Sequence, residues 1–177
     1  MIARASLYAV LALVTTSVAP AFADGLAEIR SQASLDEARG YCVDMIGSQA
    51  RASADRPLQA HTCYAYQGRI AVDQGVSVED AGRAVLRFPH FGVCLDGASA
   101  RPGGSVTLQP CGRDAGAMVA LDGSRILPAD KSDLCLTIAG GASRPGNGGT
   151  PPHLIRGLSW EACGGSAAPR QEWALRP

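Results

Sequence analysis

The chain carries no excess charge of either sign. Its 16 basic and 16 acidic residues balance, so no net field draws it towards nucleic acid or an anionic membrane surface. Lysine is nearly absent: Lys131 is the only one, and arginine supplies the remaining basic residues. There is no Cys-x-x-Cys, no Gly-x-Ser-x-Gly, and no Walker or dinucleotide pattern, which removes the short-motif routes to redox, hydrolase and nucleotide chemistry. The three histidines, His61, His90 and His153, stand far apart without a His-x-x-x-His spacing, so a zinc site has no support. Neither a metal nor a cofactor is expected. Long helical stretches are scarce as well. The 21 glycines and 11 prolines gather in runs such as Arg101-Pro102-Gly103-Gly104 and Ser143-Arg144-Pro145-Gly146-Asn147-Gly148-Gly149, which break the chain into short pieces.

At the N-terminus, Arg4 precedes an uncharged apolar run from Ala5 to Ala19, followed by Ala21-Phe22-Ala23 and then Asp24. Small residues at −3 and −1 of a cut after Ala23 match a cleavable secretory signal, so residues 1–23 are expected to be removed. The alternative is a membrane anchor. It is opposed by a run shorter than the ~20 apolar residues that span a bilayer and by Thr15, Thr16 and Ser17 within it. A secreted or periplasmic location follows, with no membrane span once the signal is gone. An even number of cysteines in an oxidising compartment reads as disulfides.

The six cysteines fall into three pairs, Cys42 with Cys63, Cys94 with Cys111 and Cys135 with Cys163, and the pairs open alike, as Cys-Val-Asp, Cys-Leu-Asp and Cys-Leu-Thr. These openings lie 52 and 41 residues apart, the mark of one module present three times. Six cysteines allow 15 connectivities. The repeat selects the one in which each unit closes on itself, and each loop then contributes on the order of 3 kcal/mol by restricting the unfolded chain. Residues 24–39 read as a tail or short helix, because Gly25 to Arg39 has helical composition with Leu26, Ile29 and Leu35 at workable spacing. Residues 40–177 hold the repeated domain. There the period is two: Ser105–Gln109, Met118–Leu121, Leu134–Ile138 and Trp173–Leu175 are strand candidates between turn residues. Asp122-Gly123 between apolar runs signals a hairpin. Short strands at this spacing argue for a small all-β barrel, in which three units share a core that none could bury alone.

These residues resemble the ricin-type β-trefoil lectins, best over Val93 to Pro177 and less closely over Gly40 to Gly92. The likeness rests on the Cys-x-Asp/Thr openings, on a second Cys after an apolar-polar strand in each unit, and on Gln171-Glu172-Trp173, which matches the family's Gln-x-Trp signature. The resemblance implies a pseudo-threefold β-trefoil with Trp173 in the shared core. In the other units that signature has decayed to Ala117-Met118-Val119 and Gln74-Gly75-Val76. Gln74, 20 residues before Cys94, is a better register than Gln67, because Ala117 stands 18 before Cys135.

The family's sugar sites take a carboxylate from Cys-x-Asp, a stacking ring two residues before the second Cys and an amide from the Asn-Gln before the Trp. A carboxylate accepts hydroxyl hydrogens, a ring covers the sugar's C–H face and an amide fixes a further hydroxyl. By that correspondence the first unit offers Asp44, His61, Asp73 and Gln74 as a carbohydrate site. Asp73 stands where Asn is usual, and His61 is a smaller platform than Trp or Tyr. A weaker second site keeps Asp96 but has Gln109 as platform and Gly116-Ala117 in place of Asn-Gln. The third unit has Thr137, Glu161 and Arg170 at these positions, and its site is expected to be absent. Each assignment has a structural counterpart: Asp44 and Asp96 suit turns that accept backbone N–H bonds, and Trp160 suits packing near the third disulfide.

Asp44, Asp73 and His61 could also form acid–base machinery, since two carboxylates beside a sugar are what a glycosidase uses. An open trefoil site argues against catalysis, and no enzyme activity is expected. The reading is a secreted, non-catalytic carbohydrate-binding protein, with a glycan or polysaccharide as partner and one weak site in the first unit. The rival is a trefoil interaction protein, of toxin cell-binding or inhibitor type, that has lost sugar binding and contacts a protein partner through loops such as Gly140–Thr150.

Overall fold

Each cysteine-bounded stretch is built around an antiparallel hairpin, because the two cysteines sit where neighbouring strands bring their Cβ atoms together. A computed structural model describes residues 25–68, 70–112 and 118–177 of the chain. The signal-like residues 1–23, and Gly116-Ala117 of the second unit, lie outside the described residues. In the first unit the strands are β1 (Leu26–Ser31), β2 (Tyr41–Asp44), β3 (Gln59–Thr62) and β4 (Gly75–Ser77). A short helix α1 (Val78–Ala81), capped where Ser77 Oγ accepts from the Asp80 amide at 3.1 Å, leads into the second unit. That unit holds β5 (Arg87–Phe88), β6 (Val93–Leu95), β7 (Gly104–Ser105), β8 (Leu108–Pro110) and β9 (Val119–Asp122). The third holds β10 (Arg125–Pro128), β11 (Leu134–Ile138), β12 (Arg144–Pro145), β13 (Leu154–Ala162) and β14 (Trp173–Arg176).

The threefold repeat is visible residue by residue. The hairpins β2–β3, β6–β8 and β11–β13 place Cys42 opposite His61, Cys94 opposite Gln109 and Cys135 opposite Glu161. The amide of each second cysteine donates to the carbonyl two residues before the first, from Cys63 to Gly40, Cys111 to Gly92 and Cys163 to Asp133. Disulfides join Cys42 to Cys63, Cys94 to Cys111 and Cys135 to Cys163, with Cα atoms 5.0–5.1 Å apart. Every unit therefore closes on itself, as the repeat requires. The units join through the barrel strands: β1 pairs with both β4 and β14, and β9 pairs with β10 across the turn at Gly123. The molecule is an all-β trefoil.

One expectation is corrected at the N-terminus. Leu26–Ser31, read as helix or tail, is strand β1, and the barrel takes it as its first strand. Helical composition is a weak preference, and pairing on both sides with β14 and β4 outweighs it. Ala27 and Ile29 are fully buried on this strand. So is Glu28, whose carboxylate accepts from the Arg176 guanidinium at 2.6 Å and from the Ala65 amide at 2.8 Å.

Val76, Val119 and Trp173, the three positions of the Gln-x-Trp register, are all buried in one apolar core with Ile29, Phe88 and Leu136. Trp173 also donates its indole N–H to the Leu136 carbonyl at 2.9 Å. Trp160 lies wholly inside as well, opposite Leu136 on β13. Both tryptophans therefore serve the core and neither faces a ligand.

Candidate functional site

Alternation along β3 puts Gln59 and His61 on one face, and the register of β2 sets Asp44 opposite Gln59. Gln74 arrives from the turn before β4 and inserts beneath them. Its Nε2 donates to Asp44 Oδ2 at 2.9 Å and to the Thr62 carbonyl at 3.1 Å, while its Oε1 accepts from the Tyr64 amide at 3.0 Å. The third unit repeats this arrangement. Gln171 Nε2 donates to Thr137 Oγ1 and to the Ala162 carbonyl, both at 2.9 Å, and its Oε1 accepts from the Gly164 amide at 2.7 Å. The residues one before and one after the second cysteine are the partners in both cases. The amide is thus a clamp that holds the cysteine turn to the hairpin, with both N–H groups of Gln74 engaged and its side chain wholly buried.

Asp44 is nearly inaccessible at 1% exposure. Its other oxygen accepts from Gln59 Nε2 at 2.7 Å. Burial pushes its carboxyl pKa well above the usual range, against the pull of the Gln59 and Gln74 donors. Asp73 is buried too. Its Oδ2 accepts from the Gln49 amide at 2.7 Å and its carbonyl from the Met45 amide at 3.1 Å, so it ties the 45–49 loop to the turn before β4. Asp44, Gln74 and His61 converge, with Gln74 Nε2 3.4 Å from His61 Nδ1, but the carboxylate and the amide form a layer under the surface.

The surface above that layer is a cleft of about 620 Å³ whose lining includes Gln59, His61, Tyr64, Arg56, Arg144 and His153. The His61 Nδ1–H donates to the Thr62 carbonyl at 2.9 Å. Burial depresses its pKa to about 4, helped by His153, Arg39 and Arg144. The ring is therefore neutral at neutral pH. It does not stand alone, for the Tyr64 centroid is 5.3 Å away and His153 meets it edge-on at 5.0 Å. Tyr66 joins through its hydroxyl, 3.2 Å from His153 Nε2. The small platform expected from His61 is an aromatic group drawn from two units.

The third unit reaches the first because β13 pairs with β3, with Ile155 opposite His61. The glycine-rich loop between β12 and β13 then folds over the cleft as one wall, held where the Gly146 amide donates to the His153 carbonyl and the His153 amide to the Gly148 carbonyl, both at 2.7 Å. Gly149 has φ +85° and a Cβ there would collide with the His153 ring, so only glycine fits.

In the second unit Asp96 accepts from the Ser99 amide at 3.2 Å and from Thr107 Oγ1 at 3.4 Å, closing its own turn, while Gln109 lies half-buried on β8. Their shared position on the β6–β8 hairpin follows the repeat. The third unit has an open depression of about 520 Å³ lined by Ser159, Glu161 and Arg170. Ser159 Oγ donates to Glu161 at 2.6 Å, and Thr137 Oγ1 is turned to the Cys135 carbonyl.

Sequence reasoning missed Gln59, Tyr64, Arg56, Arg144 and His153. For Gln59 the signal existed, since it stands two residues before His61 on a strand. The loop residues had none, because the repeat aligns each unit with its copies and says nothing of which loop crosses into a neighbour.

No protein-family model and no curated protein sequence matches the chain. Solved structures do share its fold. The C-half of an earthworm R-type lectin in complex with GalNAc superposes with TM-score 0.57 at 15% identity, covering 86% of this chain and 98% of that one. A mutant C-terminal domain of the earthworm lectin in complex with 6′-sialyllactose gives 0.55 at 17%, again over 86% of this chain and 98% of the other. ThreeFoil, a designed 3-fold symmetric protein, gives 0.58 at 18%, covering 87% of this chain and 99% of its own.

Proposed function

We propose that the protein is an exported, non-catalytic saccharide-binding protein that acts through the cleft on its first unit. The observation that carries this reading is Gln59. The residue lines an open, aromatic-flanked cleft, its Nε2 is fixed by Asp44, and its Oε1, itself sealed from solvent, has no hydrogen-bond partner among the described residues. A buried acceptor left unpaired costs roughly 1–3 kcal/mol, and once the amide turns towards the cleft a sugar hydroxyl would satisfy it while the His61–Tyr64–His153 group covers the sugar's apolar face. Asp44 and Gln74 then act as positioning residues rather than direct contacts. The lectin complexes among the fold's relatives support the same class of ligand.

The absence of catalysis is supported by the carboxylates. Asp44 and Asp73 are engaged by amide donors under the surface and do not flank the cleft as an acid–base pair would. Export to the periplasm or the exterior rests on the N-terminal signal pattern and is consistent with three closed disulfides. One shallow site gives weak affinity, so a polymeric ligand or a second binding subunit would supply avidity.

A second reading, an interaction protein that has lost sugar binding, is favoured by the sealing of Asp44 alone. A glycan array with wild type, Gln59→Ala and His61→Ala separates the two. Binding by wild type that both variants lose, with folding retained by circular dichroism, supports the saccharide site. Silence across all glycans rejects it.

A further inference from the structure

Resting on the saccharide reading, we infer that the cleft selects saccharides that carry an anionic group, a carboxylate or a sulfate ester. Its described lining contains two arginines, Arg56 and Arg144, and no carboxylate. Neither guanidinium makes an ion pair among the described residues. Nearby arginines behave differently: Arg39 is held by Glu37 at 2.6 Å and Arg156 by Asp36 at 2.9 Å. Glu37 is committed further, accepting from Thr62 Oγ1 at 2.7 Å. The chain as a whole is neutral, so the cationic lining is a local separation of charge.

Two chemical needs therefore meet in one cleft. Gln59 Oε1 is a buried acceptor without a donor among the described residues, and an alcohol O–H fits it once the amide turns towards the cleft. The two exposed guanidinium groups have no protein acceptor among the described residues, and each presents the planar fork that a carboxylate or sulfate matches with paired hydrogen bonds. A neutral sugar answers only the first need, and a simple anion only the second. An acidic sugar answers both. Asp44 lies beneath the lining, with both of its oxygens turned to the Gln59 and Gln74 amides, and presents no carboxylate to the cleft. The same sign of charge bears on His61, where burial disfavours the imidazolium and the charges of Arg39 and Arg144 add to it.

The test measures affinity for matched pairs by titration calorimetry: trigalacturonate against its methyl ester, and 6-sulfolactose against lactose. Wild type, the double variant Arg56→Gln/Arg144→Gln and Gln59→Ala are compared. Both arginines are exposed, so the double variant should fold, as thermal melting will verify. We expect the charged member of at least one pair to bind on the order of fivefold to tenfold tighter, as for a charge-assisted hydrogen bond at a solvated site. That margin should shrink as salt rises from ~0.05 M to ~0.5 M. In the double variant the two affinities of the pair should converge, and Gln59→Ala should weaken both members. Which pair responds separates carboxylate from sulfate as the group selected. Equal affinity within both pairs, a preference that survives in the double variant, or binding indifferent to Gln59→Ala overturns the inference. If neutral members still bind in a Gln59-dependent way, the saccharide reading stands without it; if no member binds, both fall.

Discussion

Gln74 and Gln171 make the same hydrogen bonds from different units, one over Asp44 and the other over Thr137. The residue the family resemblance assigned to ligand binding is thus needed first by the fold. Gln74→Ala should lower unfolding free energy by about 1–3 kcal/mol, because Asp44 Oδ2, the Thr62 carbonyl and the Tyr64 amide would be left without this buried partner. Urea denaturation measures it, and a loss below ~0.5 kcal/mol would contradict the clamp. His61 supplies a pH signature. Its pKa is depressed from 6.5 to about 4 in the folded chain, so the unfolded chain binds the proton first as pH falls. The stability His61 confers is complete above about pH 6.5 and is lost between there and pH 4, at up to ~1.4 kcal/mol per pH unit. Asp44 has the opposite sign, since its raised pKa makes the folded state hold a proton longer. Comparing wild type with His61→Gln isolates the histidine: the difference between their stabilities should narrow across that window, and a difference independent of pH would refute the assignment.

At the scale of elements, the hairpins were legible and the crossings were not. Leu134–Ile138 stands as the sequence pattern outlined it, a short, mostly apolar run between turn residues that is buried along its whole length. The disulfides followed from the repeat. Leu26–Ser31 misled because six residues of mixed polarity carry little periodicity, and their strand character comes from neighbours at the far end of the chain. Two outcomes follow. Deleting residues 25–39 should abolish cooperative thermal unfolding, since β14 and β4 both lose a partner; a dispensable tail would leave the transition intact. Replacing Cys42 and Cys63 by serine should cost on the order of 3 kcal/mol. Hydrogen exchange should then rise first in β2 and β3, whereas uniform exchange would contradict closure of each unit upon itself. The loop wall is equally specific: Gly149→Ala should displace His153 and weaken saccharide binding, at a stability cost of about 1–2 kcal/mol for the left-handed backbone.

Across the whole molecule, three copies of one hairpin have diverged by what surrounds them. The copies keep cysteine register, the cysteine-turn hydrogen bond and a buried residue at the Gln-x-Trp position, all local or repeated features that a sequence displays. What sets the first unit apart is a neighbour: β13 carries the loop of the third unit across it, bringing Arg144 and His153 beside His61. Asp44 and Gln74 were pointed to by the family resemblance, yet their depth was not, because depth depends on Gln59 lying over them. The most direct measurement is an NMR titration of the isotope-labelled chain with the saccharide that binds best. The account predicts shifts confined to the cleft, at Gln59, His61, Tyr64, His153, Arg56 and Arg144, with the hairpins bearing Gln109 and Glu161 silent. Shifts centred on either of those hairpins, or none at saturating ligand, would contradict it.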